Sequence, residues 1–136
     1  MFAVSRAARQ FEALAVRALA ADRLSFLEGL TLAALFFESP RPVKPSQLAE
    51  TFATTRGNVS HCISSLEARG LLQRRIDPED ARAYQLALRP QGRRTALRVI
   101  AAFDGLQKAF ENEIGKPALA AMLRALRELD ACAAGR

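Results

Sequence analysis

The side chains that could do chemistry in this sequence are few. There is one histidine, His61, and there are two cysteines, Cys62 and Cys132. One imidazole with two distant thiols gives no metal-ligand spacing, so neither a metal nor a cofactor is expected. No Gly-x-Ser-x-Gly, His-Glu-x-x-His or phosphate-loop pattern occurs, and an enzyme is not expected. Well-separated cysteines suggest reduced thiols and a cytoplasmic protein rather than a disulfide framework. Cys62 falls at the edge of an apolar helix face, where packing is the ordinary role of a thiol. What remains is a run of small hydrogen-bonding residues at helical spacing: Thr55, Arg56, Asn58, Ser60, His61 and Ser64. A second group, Arg74, Arg75, Asp80 and Arg82, follows on a segment rich in turn residues. Such groups recognise a polar partner; they do not transform one.

The elements that would position them can be read from periodicity. Val59, Ile63 and Leu66 form one apolar stripe. At about 100° per residue, Gly57, Ser60, His61 and Ser64 then lie on the opposite side. Arg56 and Asn58 occupy the first turn, capped by Thr54 or Thr55, and Gly70 supplies the left-handed stop. A solvated face would more often carry Glu and Lys pairs. This face is small, polar and uncharged along most of its length, which suits close approach to base edges and phosphates. A short helix from Pro45 to about Phe52 precedes it. Leu71 to Ile76, the turn Asp77-Pro78-Glu79-Asp80, and Arg82 to Leu88 follow it as a hairpin with a charged tip.

Further helices are predicted on either side. The first spans Phe2 to Ala21. The second starts at a Ser25/Glu28 capping box, runs to about Ser39 and is apolar over most of its surface. Three prolines between Pro40 and Pro45 enforce a loop. A long helix runs from Pro90 to about Ile114 with the stripe Val99, Phe103, Leu106, Phe110 and Ile114. After Gly115 a last helix carries Leu119, Met122, Leu126 and Leu129. The order is therefore four helices, two strands and two helices. Two short helices followed by a two-stranded ribbon is the winged helix-turn-helix pattern, whose second helix enters the DNA major groove.

Charge agrees with that placement. The chain has 136 residues and a formal net charge of +6. Residues 41–98 hold eleven Lys or Arg against five Asp or Glu, while the two flanks hold nine of each sign. The whole excess sits on the middle of the chain, the footprint of a nucleic-acid module. Half the residues are apolar, enough for a sizeable core, and no apolar run is long enough for a membrane span or signal peptide.

The stretch Gln47 to Gly92 resembles the core of the multiple-antibiotic-resistance regulator (MarR) family. It has a capped recognition helix leaving through Leu66, Glu67, Gly70 and Leu71, a wing with Arg74, Asp77, Pro78, Asp80 and Arg82, and then Leu86, Leu88, Pro90 and Gly92. The resemblance implies one domain over 1–136, mainly α with a small antiparallel β-wing. A winged helix-turn-helix core would cover 25–89, and the helices 1–22 and 99–133 would form a dimerisation domain. It also implies that Asp80 braces Arg82 at the wing tip, that Arg82 reaches the minor groove, and that Arg74 and Arg75 meet phosphates. Lys44 and Arg89 depart from the family, which often has Ser or Thr at these helix starts. Each change loses a capping side chain, a loss of about 1 kcal/mol.

The expected function is sequence-specific binding of double-stranded DNA by a homodimeric transcription regulator, a repressor relieved by a small ligand. The apolar stripes of the terminal helices exceed what one small domain can bury. Phe11, Phe103, Phe110, Ile114, Met122 and Leu126 are accordingly expected at a twofold interface. An effector would be a small aromatic or largely apolar anion, lodged between the second helix, the start of the fifth and the partner's first helix, with Arg17 and Arg23 as anion partners. Two alternatives remain open on sequence: a winged-helix protein–protein adaptor, and a DNA binder controlled by a partner protein.

Overall fold

The computed structural model of the chain describes residues 2–134. Among them are six α-helices and one two-stranded antiparallel sheet. In chain order these are α1 (Phe2–Ala18), a 3₁₀ turn (Ala20–Asp22), α2 (Phe26–Glu38), α3 (Pro45–Thr51), α4 (Arg56–Ala68), β1 (Leu72–Asp77), β2 (Asp80–Leu88), α5 (Pro90–Ile114) and α6 (Lys116–Ala134). This is the mainly helical winged helix-turn-helix architecture that the sequence predicts. The chain divides into two compact units, residues 1–102 and 103–136, with the boundary inside α5. No described helix is long and apolar enough to cross a membrane.

In the first unit the core is made by the stripes that the sequence displays. Leu32 of α2, Leu48 of α3, Val59, Ile63 and Leu66 of α4, Leu72 of β1 and Val99 of α5 are fully buried. Burial of each such side chain contributes about 1.5–3 kcal/mol. The capping box that starts α2 is present: Ser25 N–H donates to Glu28 Oε2 at 2.8 Å, and Glu28 N–H donates to Ser25 Oγ at 3.2 Å. The other Glu28 oxygen accepts from Ser65 Oγ at 2.7 Å, so one buried carboxylate caps α2 and docks α4 on it.

The first helix ends earlier than its periodicity predicts. The Leu19 N–H is shared between the carbonyls of Ala15 and Val16, at 3.0 and 3.2 Å, which tightens the last turn into the 3₁₀ segment. Arg23 closes it with a left-handed φ of 51°. The freed carbonyls have partners: Arg69, which follows α4, donates to Asp22 O at 2.6 Å and to Arg23 O at 3.1 Å. The Asp22 carboxylate takes the Arg98 guanidinium of α5 on both oxygens, at 2.5 and 3.2 Å. That hydrogen-bonded guanidinium holds the Asp22 carboxyl below the usual carboxylate range.

At the start of α3 the missing capping hydroxyl is partly replaced, because Gln47 Oε1 accepts from the Lys44 N–H at 2.7 Å. The chain leaves α4 through Gly70 at φ +70°, with Leu71 N–H donating to Leu66 O at 3.0 Å. The hairpin pairs Leu72 with Leu88 and Ile76 with Tyr84, with an irregularity between Ile76 and Asp77. Val43 adds a bridge to Leu86, fastening the loop before α3 to β2. The first turn of α5 passes so close to Leu71 that a Cβ on Gly92 would lie 1.7 Å from its carbonyl oxygen. The Pro90 and Gly92 of the motif thus open one helix and let it touch the strand entrance.

The second unit is built differently. Gly115 separates α5 from α6 at φ +80°. None of the described side chains from 103 to 133 is buried. Phe103, Leu106, Phe110, Leu119 and Met122 are half-buried, and Ile114, Leu123, Leu126 and Leu129 are exposed.

Candidate nucleic-acid interface

The recognition face begins at the N-terminus of α4. Thr55 is the cap, its Oγ1 accepting from the Asn58 N–H at 3.1 Å. The Asn58 Nδ2 donates to Thr54 Oγ1 at 3.1 Å, which fixes the amide plane and turns its oxygen side away from that contact. Arg56, Gly57, Asn58, Ser60, His61 and Ser64 are all exposed, while Val59, Cys62, Ile63 and Leu66 are buried. The helix therefore presents the polar face that its sequence divides from the core face. Four N–H groups at a helix start lack intrahelical partners and carry the positive end of the helix dipole, so this end is electropositive beyond its one arginine.

The wing supplies the second part. Asp80 Oδ1 accepts from the backbone N–H of Arg82 at 3.0 Å. The carboxylate thus shapes the turn, while the Arg82 guanidinium has no partner among the described residues. Asp80, expected from the resemblance to brace Arg82, is bonded here to the Arg82 backbone. Lys44, Pro45, Ser46, Arg56, Ser60, Arg82, Ala83 and Tyr84 line a hollow of about 460 Å³ between the start of α3, the start of α4 and β2. Arg56, Ser60 and Arg82, named from separate motifs, meet there.

Arg74 and Arg75 part company. The Arg74 guanidinium pairs with Glu67, donates to Ser64 Oγ at 2.9 Å and lies 5.2 Å from the centre of the Tyr84 ring. Its backbone N–H donates to the same Glu67 carboxylate at 3.1 Å. Arg74 is therefore a tie between α4 and the wing, and it occupies the Ser64 hydroxyl in doing so. Arg75 is exposed. Arginine side chains next to each other in a strand point to opposite faces, which explains why two neighbours of one type differ in role.

Several residues of this surface escape a motif reading. Tyr84 sits under Arg74, and Lys44 reaches the buried Asp77 with Nζ 2.8 Å from Oδ2. Lys44 looks in sequence like a lost cap with an added charge. Only the fold brings it to the wing, although Pro45 at the next helix start does place it in a cap position. His61 lies with Ser25, Leu27, Glu28, Asn58 and Cys62 around a smaller hollow of about 300 Å³. The Cys62 thiol is 3.5 Å from Thr31 Oγ1, and burial pushes its pKa up.

The remaining predicted residues lie elsewhere. Arg17, in the last turn of α1, donates from Nε to Ala13 O at 3.4 Å. Arg23 is in the left-handed turn before α2 and offers its carbonyl to Arg69. Phe11 is exposed on α1; Phe103, Phe110 and Met122 are half-buried in the second unit, and Ile114 and Leu126 are exposed there.

A capped polar helix beside a charged two-stranded wing defines a winged helix-turn-helix protein. Residues 38–84 match the model of the MarR family, and the chain as a whole has the fold of that family's winged-helix regulators. S. aureus MepR, in a structure with DNA, is 18% identical and superimposes with a TM-score of 0.88 over 96% of each chain. A MarR-family transcriptional regulator from Rhodococcus is 23% identical over 94% of this chain and 91% of its own, with a TM-score of 0.83. The transcriptional regulator BldR from Sulfolobus solfataricus is 22% identical over 96% and 91%, also with a TM-score of 0.83. No curated protein matches the sequence significantly.

Proposed function

We propose that the chain is a sequence-specific, duplex-DNA-binding transcription regulator that acts in the cytoplasm as a homodimeric repressor. One observation carries the reading: Arg56 and Ser60 of α4 and Arg82 of the wing share a single hollow beside an exposed, polar, carboxylate-free helix face. In this reading Thr55, Arg56, Asn58, Ser60, His61 and Ser64 approach the major groove. Arg82, held by Asp80, enters the minor groove, and Arg75 meets a phosphate. Arg74, paired with Glu67, aligns the wing on α4. MepR, similar in fold, has been solved with DNA, which supports DNA as the partner.

Dimerisation through helices 1–22 and 99–133 would set two recognition helices at the spacing of successive major grooves. Relief by a small aromatic anion is the regulation that belongs with this reading, with Arg17 and Arg23 as candidate anion partners where subunits meet.

The test is affinity against salt for wild type and variants, on random and selected duplexes. Arg82→Ala should weaken binding to all duplexes, most of all those with narrow A·T-rich flanks. It should lower the salt slope by about one phosphate equivalent per subunit. Asn58→Ala or His61→Ala should erode discrimination by about 1–3 kcal/mol and barely change the slope. A simple phenolic acid added to the same assay should lower affinity. Failure of the wild-type protein to bind random duplex DNA at low salt would leave the adaptor reading instead. An Arg82→Ala variant with unchanged affinity and slope would remove the wing from the groove.

A further inference from the structure

The turn of the wing is exposed at Pro78, Glu79 and Asp80, but Asp77, at its base, is only 2% exposed. Its carboxylate is held from two sides. The Glu79 N–H donates to Oδ1 at 3.0 Å, and the Lys44 ammonium stands 2.8 Å from Oδ2. The strand ladder is irregular between Ile76 and Asp77, so cross-strand pairing alone does not fix where the turn begins. Lys44 lies in the loop that enters α3, next to Val43, whose carbonyl accepts from Leu86 N–H at 2.9 Å. The loop thus grips the hairpin twice, once by backbone and once by charge. The same lysine lines the hollow shared by Arg56, Ser60 and Arg82.

A lysine in that place has two available roles: a direct phosphate contact, or a support for the wing. Resting on the DNA-binding reading above, we infer that Lys44 is a positioning residue whose ion pair with Asp77 aims the Arg82 side chain, and so sets the preference for narrow minor grooves. The chemistry is that of a buried carboxylate. Removing its cation leaves an uncompensated charge, which must return to water or be protonated. Asp77 can reach water only by lifting the base of the turn. Asp80 and Arg82 follow it within five residues and move with it. Only the carboxylate of this pair is buried, since the Lys44 side chain is 46% exposed, so the pair adds little net stability and the role inferred for it is to fix one geometry. The ammonium also feels Glu79 and Asp80, which add to the raising of its pKa by Asp77.

The two roles predict opposite signs for one substitution. Affinities of wild type, Asp77→Asn, Lys44→Met, Lys44→Arg, Arg82→Ala and the Lys44→Met/Arg82→Ala double variant are measured on two 30-base-pair duplexes, one with A·T-rich and one with G·C-rich flanks, across a salt series. If Lys44 positions the wing, Asp77→Asn weakens binding to the A·T-rich duplex although it removes a negative charge. The preference for A·T-rich flanks then falls on the order of ten-fold, the scale of one lost base-pair contact. Lys44→Met does the same, Lys44→Arg restores the preference, and the double variant is no worse than Arg82→Ala alone. If Lys44 binds phosphate itself, Asp77→Asn frees it and tightens binding to both duplexes. Lys44→Met and Arg82→Ala are then additive, and the inference is overturned. Should Asp77→Asn fail to fold, as judged by its melting curve, the lysine and double variants decide alone. A wild-type protein that binds neither duplex defeats the DNA-binding reading, whereas a wild type that binds, with Asp77→Asn tighter, defeats only this inference.

Discussion

Two thiols of one sequence differ in chemistry because the fold treats them differently. Cys62 is buried against Thr31, and burial raises its pKa. A thiol that resists ionisation is a poor nucleophile, since the thiolate is the reactive form. Cys132 is exposed on α6. A disulfide-exchange reagent at neutral pH should therefore modify one thiol quickly in the folded protein and the second only after denaturation. Mass mapping should assign the fast site to Cys132. Fast modification of Cys62 in the folded protein would show that α4 opens from α2 far more readily than this packing allows. The sequence alone already points to packing for Cys62, because the residue falls at the edge of the apolar stripe of Val59, Ile63 and Leu66. It could not reveal the partner, Thr31, which comes from 31 residues away. Arg74 teaches the same lesson in the other direction. Motif position suggests a phosphate contact, and the tertiary fold gives its guanidinium to Glu67, Ser64 and Tyr84.

At the level of elements, local rules carried most of the fold. Prolines and glycines opened and closed helices where their backbone preferences demand, and the Ser25/Glu28 box was readable because it lies within four residues. The end of α1 was not readable, since the 3₁₀ turn is completed by Arg69 and Arg98 from distant parts of the chain. Gly92 shows how a local signal can have a nonlocal reason. A Cβ there would collide with the Leu71 carbonyl oxygen at 1.7 Å, a backbone atom that cannot step aside. Gly92→Ala should therefore destabilise the protein by about 1–3 kcal/mol or more, despite the better helix propensity of alanine. Gly105, on the same helix, has nothing within 4 Å of a built Cβ. Gly105→Ala should stabilise by about 0.5–1 kcal/mol. Urea denaturation of both variants checks the contrast, and equal effects at the two positions would mean that α5 does not approach Leu71 this closely.

Several large apolar side chains of the described residues stand exposed in the single copy. Phe2 is 95% exposed, and Ile114, Leu126 and Leu129 are each more than two-fifths exposed. α6 repeats its apolar residues at spacings of three and four, yet none of its described side chains is buried. A helix gains most of its stability by burying such a stripe, so a 19-residue helix with the stripe uncovered calls for a cover. A second copy is the occupant proposed here, because the commonest oligomers are twofold dimers in which one surface meets itself. Duplex DNA offers two grooves one helical turn apart, and a dimer alone can use both. The wild-type protein should sediment as a dimer at micromolar concentration. Phe110→Asp with Leu126→Asp should give a monomer, because each buried carboxylate would lie in an apolar interface without a partner. The monomer should keep its α4 and wing, and with them weak, salt-sensitive binding to random duplex, since the residues of that surface all lie in the first unit. It should lose the added affinity for sites that contain two half-sites. Sedimentation velocity and duplex titration on the same preparations separate the outcomes. A monomeric wild type would remove the proposed interface, and a double variant that stays dimeric would move it away from Phe110 and Leu126.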